Sequence, residues 1–185
     1  DALSGHGTFI SGLIHQACPD ADIVVWRVVG SDGPIVESEL VKTLERIAEV
    51  ARKHRDGEKG GYPIDVLNLS MGYYHETPED DLFDKTLAEM LLAARKRGCA
   101  VVCSAGNDAT DRPSFPAALW AWPGAEFHVP DPKDAAPHLA IGAQNPNGTV
   151  ALFSIRVTPC PRPSSLPSWR KRGSLGFFLN RSLAS

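Results

Sequence analysis

The sequence predicts an α/β fold, a three-layer sandwich with a mostly parallel central sheet. Two observations carry this. Segments with apolar residues at helical spacing alternate with short apolar runs rich in β-branched residues. Those runs are apolar at consecutive positions, the pattern of strands covered on both faces.

The elements follow in order. Phe9, Ile10, Leu13, Ile14 and Ala17 share one face of a helix, which Pro19 and Asp20 break. Residues 23–29 form a buried strand, and Gly30-Ser31-Asp32-Gly33-Pro34 a turn. Val36, Leu40, Leu44, Ile47 and Ala51 give a second helix, ending near residues 54–61. A strand at 64–70 follows. Leu82, Phe83, Leu87, Met90, Leu91 and Ala94 give a third helix, closed by Arg95-Lys96-Arg97 and Gly98. Basic residues in a last turn oppose the helix dipole, and Gly suits the left-handed cap. Strands at 99–104 and 138–143 complete the pattern. Between them, residues 109–137 are a proline-rich excursion in which Trp120 and Trp122 are expected to pack.

Composition bounds the partners. With 185 residues, 43% hydrophobic and 22% charged, the chain suits one soluble domain with a substantial core. No apolar run reaches the ~18 residues of a membrane span, and residues 1–8 lack the pattern of a secretory signal. Of 19 basic and 22 acidic residues, six basic and no acidic ones fall in 156–185, so residues 1–155 carry 13 against 22, a balance of −9. An acidic body argues against a nucleic-acid partner. No GxGxxG follows a strand and no GxxxxGK[ST] occurs, so a nucleotide site is not expected.

The four cysteines form no framework. Cys99 and Cys103, four residues apart in a strand, would stand roughly 13 Å from each other, beyond disulfide reach. Cys18 and Cys160 have no assignable partner, and buried free thiols are expected. No His/Cys spacing suggests zinc.

Three segments fall at the start of the first helix or the carboxyl ends of strands, where open α/β sheets gather their chemistry. Gly5-His6-Gly7-Thr8 flanks a histidine with glycines, so another backbone can approach it. Taken alone, His6 is equally a histidine hydrogen-bonded at a helix end. Ser104-Ala105-Gly106-Asn107 ends a strand in small residues and presents one amide, which could donate to an oxyanion. An Asn also serves turns of unusual dihedrals. Asn68-Leu69-Ser70-Met71-Gly72 ends a strand in small residues, where an extended peptide could pair with the backbone.

In combination and in this order, GHGTFISG, PDADIVVWRVVGSDG, IDVLNLSMG, GCAVVCSAGND, SFPA, HLAIGA and ALFS resemble the peptidase domain of the subtilisin-like serine proteases (subtilases, peptidase S8) over about residues 4–154. The resemblance implies a secreted serine endopeptidase with peptide or protein substrates. It makes His6 the general base and Asn107 the oxyanion-hole donor. It makes Ser70, Met71 and Gly72 the substrate-pairing edge and one wall of the pocket before the scissile bond. Ala105 and Gly106 become the opposite wall, and Phe115-Pro116-Ala117 a structural segment. Members of the family often bind calcium, but no ligand set is assigned here and no other cofactor is expected.

The pattern breaks in two places. No Gly-Thr-Ser motif for the nucleophile follows Ser154; Ser164, Ser165, Ser168, Ser174, Ser182 and Ser185 all lack its context. Asp1 is followed by Ala2-Leu3 and lies too close to His6 to be the family's orienting aspartate. The expectation is a partial peptidase domain over 1–155, truncated at both ends, whose chain is itself inactive. The alternative is a peptide-binding remnant without enzymatic function. Residues 156–185 form a basic Ser/Pro/Arg-rich tail. A linker or disordered tail has this composition. So does GC-rich coding DNA read in a shifted frame, which would also remove the serine motif and is the expectation adopted. Translating the DNA beyond the Ser154 codon in the other two frames is expected to reveal a Gly-Thr-Ser motif; its absence from every frame would show the tail to be authentic.

Overall fold

A computed structural model describes residues 5–29, 35–76, 80–121, 133–155 and 175–180. Helix α1 (His6–Ala17) leads into strand β1 (Asp22–Val25), and α2 (Glu37–Arg55) into β2 (Val66–Ser70). Helix α3 (Asp80–Arg95) leads into β3 (Ala100–Ser104), and the short α4 (Ala118–Ala121) into β4 (His138–Ile141). A further strand, β5 (Leu175–Asn180), comes last in the chain. The five form one open sheet in the order β1-β5-β2-β3-β4. Every pairing is parallel, as the consecutive apolar runs predicted.

The core is built where sequence periodicity placed it. Leu40, Leu44 and Ile47 of α2 and Leu87, Leu91 and Ala94 of α3 are buried with Leu67 and Leu69 of β2 and Val101 and Cys103 of β3. Helix α3 stops as its ending predicts. Gly98 takes φ +91°, its N–H donates to the Arg95 carbonyl at 3.0 Å, and Cys99 N–H donates to the Ala94 carbonyl at 3.2 Å. This pair of bonds is the left-handed cap that glycine permits. Arg95 does more than oppose a dipole. It is buried, its Nε donates to the Ala136 carbonyl at 2.6 Å, and its guanidinium lies 4.6 Å from the Trp120 ring centroid. Trp120 is a packing residue, meeting His138 edge-on at 4.8 Å. Trp122 lies outside the described residues.

Two expectations need correction. The apolar stripe of α1 forms a helix but is only partly covered: none of its residues is buried, and Phe9 is 67% exposed. Periodicity says which residues share a face, and is silent on whether another element covers it. Strand β1 stops at Val25, short of the predicted 23–29. Within the tail, residues 175–180 form a strand between β1 and β2. Four large apolar residues in a run of five, Leu175 to Leu179, are enough for a strand, even where the surrounding composition is biased.

The thiols divide. Cys18 is exposed, against expectation, because it stands at the end of the partly covered α1. Cys99 and Cys103 are buried and free, and Cys160 lies outside the described residues. Burial pushes the Cys99 thiol up to about 12, helped by the Asp65 charge, and pushes Cys103 higher still despite Arg95 nearby. Only a thiolate reacts readily. Maleimide labelling of the native chain at about pH 7.5, mapped by mass spectrometry, is expected to mark Cys18 and to leave Cys99 and Cys103 unmodified until denaturant is added. Native labelling of Cys103 at the rate of Cys18 would show that the β3 interior is not closed.

Candidate active site

Pairing of β2 with β3 assembles the candidate cleft. Leu69 stands opposite Cys103, so Ser70 ends its strand beside Ser104. Past the strand ends, the Ser104 hydroxyl donates to the Met71 carbonyl at 3.4 Å. The Asn68 amide donates to the Ser70 hydroxyl at 2.8 Å. Ser70, Met71 and Gly72 therefore run alongside Ser104, Ala105 and Gly106. Met71 and Ala105 are buried, and the chain emerges at Asn107, which is exposed.

Both glycines are required by geometry. A Cβ on Gly72 would stand 2.5 Å from the Ser114 hydroxyl. Gly106 takes φ +117°, and a Cβ there would stand 2.4 Å from Ile155 Cδ1. The first glycine lets the 114–115 segment approach; the second turns the chain out of the sheet.

His6 is the first residue of α1, follows Gly5 in the left-handed conformation (φ 97°), and is exposed. A helix that returns the chain to the start of a parallel strand runs against that strand, so α1 begins on the side of the strands' carboxyl ends. The structure brings Ser70, Met71, Gly72, Ala105 and Gly106 together, with Asn107 next in line. Among the described residues the His6 ring makes no hydrogen bond to any of them.

The sequence reading missed a polar cluster just beyond Gly72. Asp84 of α3 is fully buried. It accepts from the Tyr73 hydroxyl at 2.5 Å and pairs through its other oxygen with His75 Nε2. The His75 ring lies flat on Phe115, centroids 4.1 Å apart and planes 6° apart. Tyr73 and Phe115 exchange two backbone hydrogen bonds of 2.9 Å. Phe115 precedes Pro116 through a cis peptide bond. The cluster thus ties the 71–75 segment, α3 and the Phe115-Pro116-Ala117 segment into one unit. Its only trace in the sequence is Tyr73 and His75, two residues apart in an extended segment, which point to the same side. Their partner Asp84 lies at no regular spacing from them. Among the described residues no three His, Cys, Asp or Glu side chains gather to hold a metal ion. A cleft of about 520 Å³ is lined by Ala109, Thr110, Asp111, Val150, Ala151, Leu152 and Ser154, none of them a residue to which the sequence assigns a role in the site.

The subtilase family model matches residues 1–164. The chain belongs to the subtilase family. It is 28% identical over 124 residues to the subtilisin-like protease het-Q2 of Podospora anserina, a match covering 67% of this chain and 30% of that protein. It is 28% identical over 135 residues to the major intracellular serine protease of Bacillus subtilis (strain 168), covering 64% of this chain and 37% of that one. The chain thus spans about a third of each curated relative. Among solved structures, a lanthipeptide protease superposes with a TM-score of 0.60 at 21% identity, over 82% of this chain and 40% of that chain. That likeness shows the fold: the open parallel sheet with its helices is that of subtilisin-like proteases.

The buried cluster gives the site a stability signature. Asp84→Ala removes a buried acceptor that holds Tyr73 and His75, and is expected to lower stability by about 1–3 kcal/mol. Tyr73→Phe, which removes one of the two bonds, should cost about 1 kcal/mol. Urea unfolding followed by circular dichroism checks both; equal, negligible losses would show that the cluster does not hold the segment.

Proposed function

We propose that this chain forms the cleft-bearing part of a serine-type endopeptidase. An extended substrate pairs with residues 70–72 as an added strand. Met71 and Gly72 on one side, and Ala105 and Gly106 on the other, wall the pocket for the residue before the scissile bond. The Asn107 amide donates to the oxyanion that forms when the scissile carbonyl is attacked. His6 takes the proton from the attacking hydroxyl and returns it to the leaving amine. The observation that supports this reading most is the meeting of two small-residue strand ends, with an exposed amide directly after one of them.

Acyl transfer by this route also needs a hydroxyl nucleophile and a carboxylate to orient the base. Neither has the expected motif in these 185 residues, so the polypeptide is proposed to bind substrate without cleaving it. The second reading, a peptide-binding remnant of a protease, is favoured by α1, the helix that carries His6, whose apolar face is only partly covered. Family likeness assigns no compartment: secretion is the habit of many subtilases, whereas the Bacillus subtilis relative is by name intracellular. No helix among the described residues is long and apolar enough to cross a membrane.

A fluorophosphonate probe tests the proposal directly, since it reacts only with a serine activated by a base. No stoichiometric labelling of the 185-residue chain is expected. Labelling of any one serine to completion, lost in His6→Ala, would show that the chain carries its own nucleophile.

A further inference from the structure

Tyr73, Tyr74 and His75 continue from Gly72 in an extended path. Side chains there alternate, so Tyr74 faces away from the Asp84 cluster that holds its two neighbours. It reaches across to the loop that leaves β3. Its hydroxyl donates to Asp108 Oδ2 at 2.5 Å, one residue past Asn107. The same hydroxyl would stand 3.5 Å from a Cβ built on Gly106. Over the ring lies the Arg112 guanidinium, its carbon 4.8 Å from the centroid. Arg112 Nη2 in turn donates to the His75 carbonyl at 3.1 Å. Tyr74 is therefore clamped at both ends, anchored on one wall of the cleft and bonded to the other.

We propose that Tyr74 sets the substrate specificity of this cleft, by occupying the space between its walls so that only a small side chain (Gly, Ala or Ser) can enter. The inference rests on reading the two walls as a peptide site. Neighbouring strands stand about 4.8 Å apart, and the segments that continue from them must splay to about 7 Å before even one flat group fits between them, so a ring already there leaves no room for a second. The Cβ side of Gly106 is already filled by Ile155, beside the tyrosine hydroxyl, so no further room opens there. An aromatic substrate side chain would have to expel the tyrosine ring. That breaks a hydrogen bond to a carboxylate and a cation–π contact, both stronger than ordinary neutral contacts. A methyl or hydroxymethyl group leaves both in place.

The test is binding of fluorescein-labelled peptides Gly-Ala-Ala-X-Ala-Gly, with X as Ala, Leu or Phe, to the 185-residue chain, read by anisotropy. The wild-type chain is expected to bind the Ala peptide at least tenfold more tightly than the Phe peptide. Tyr74→Ala should shrink that ratio tenfold or reverse it, and Tyr74→Phe, which keeps the ring, should preserve most of it. Arg112→Ala, at an exposed position, releases the ring without removing it and should lower the ratio several-fold even if Tyr74→Ala fails to fold. Binding with a ratio that neither Tyr74→Ala nor Arg112→Ala alters, or a wild-type preference for Phe, would overturn the proposal while leaving the peptide site standing. Failure of every peptide to bind every folded variant would overturn the peptide site itself, and the proposal with it.

Discussion

The parallel pairing of β2 with β3 is the constraint from which the rest of the site follows. It sets Ser70 beside Ser104 and delivers two small-residue segments to the same edge of the sheet. Nothing in either segment would matter in isolation. The register makes one a wall facing the other, and Leu67 and Leu69 of β2 with Val101 and Cys103 of β3 fix that register from the face they share. A slip of one residue would turn those side chains out of the core, a cost far above any local gain at the edge. The cleft is thus held by hydrophobic packing several residues away from it.

A second layer of control acts beyond the strands. Asp84 is buried on α3 yet holds Tyr73 and His75 of the segment that follows Gly72. Phe115 stacks on His75 and pairs its backbone with Tyr73. A buried carboxylate is costly unless its oxygens are engaged, so the cluster is stable only with all its members in place. Its effect is to remove freedom from residues 73–75, and a pre-ordered segment loses less entropy when a peptide pairs beside it. Tyr74 inherits this rigidity: flanked by two anchored neighbours, it has one side left to face.

The sequence made the sheet legible because its strands are covered on both faces. Consecutive apolar residues leave little choice of element, and the helices between them show clear periodicity. Residues 70–72 and 105–107 were legible as strand ends with small residues. What escaped was whatever depends on contacts distant in sequence. Asp84 reads as one polar residue near a helix start, and its role exists only because β2 and α3 bring Tyr73 and His75 to it. Arg95 reads as a dipole partner, and its burial involves Trp120 and Ala136, both distant from it in sequence. The partly covered face of α1 was illegible for the converse reason. An amphipathic stripe shows what a helix could bury, and the packing partner is a property of the whole.

That last point bears on His6 more than on any other residue. A twelve-residue helix is marginal alone, so α1 depends on tertiary contacts to hold its start in place. None of its own residues is buried, and the strand it packs against is β5. β5 sits between β1 and β2, two strands consecutive in the chain that do not pair with each other. The position of the proposed general base is therefore coupled to whichever strand fills that slot, whereas Asn107 is fixed by β3 and its two neighbours. One of the two proposed site residues follows the best-packed strand of the sheet, and the other starts a helix with little to hold it. A chain built this way can keep the paired ends of β2 and β3 in order while His6 is loosely placed, so of the two proposed roles peptide binding makes the smaller demand on α1.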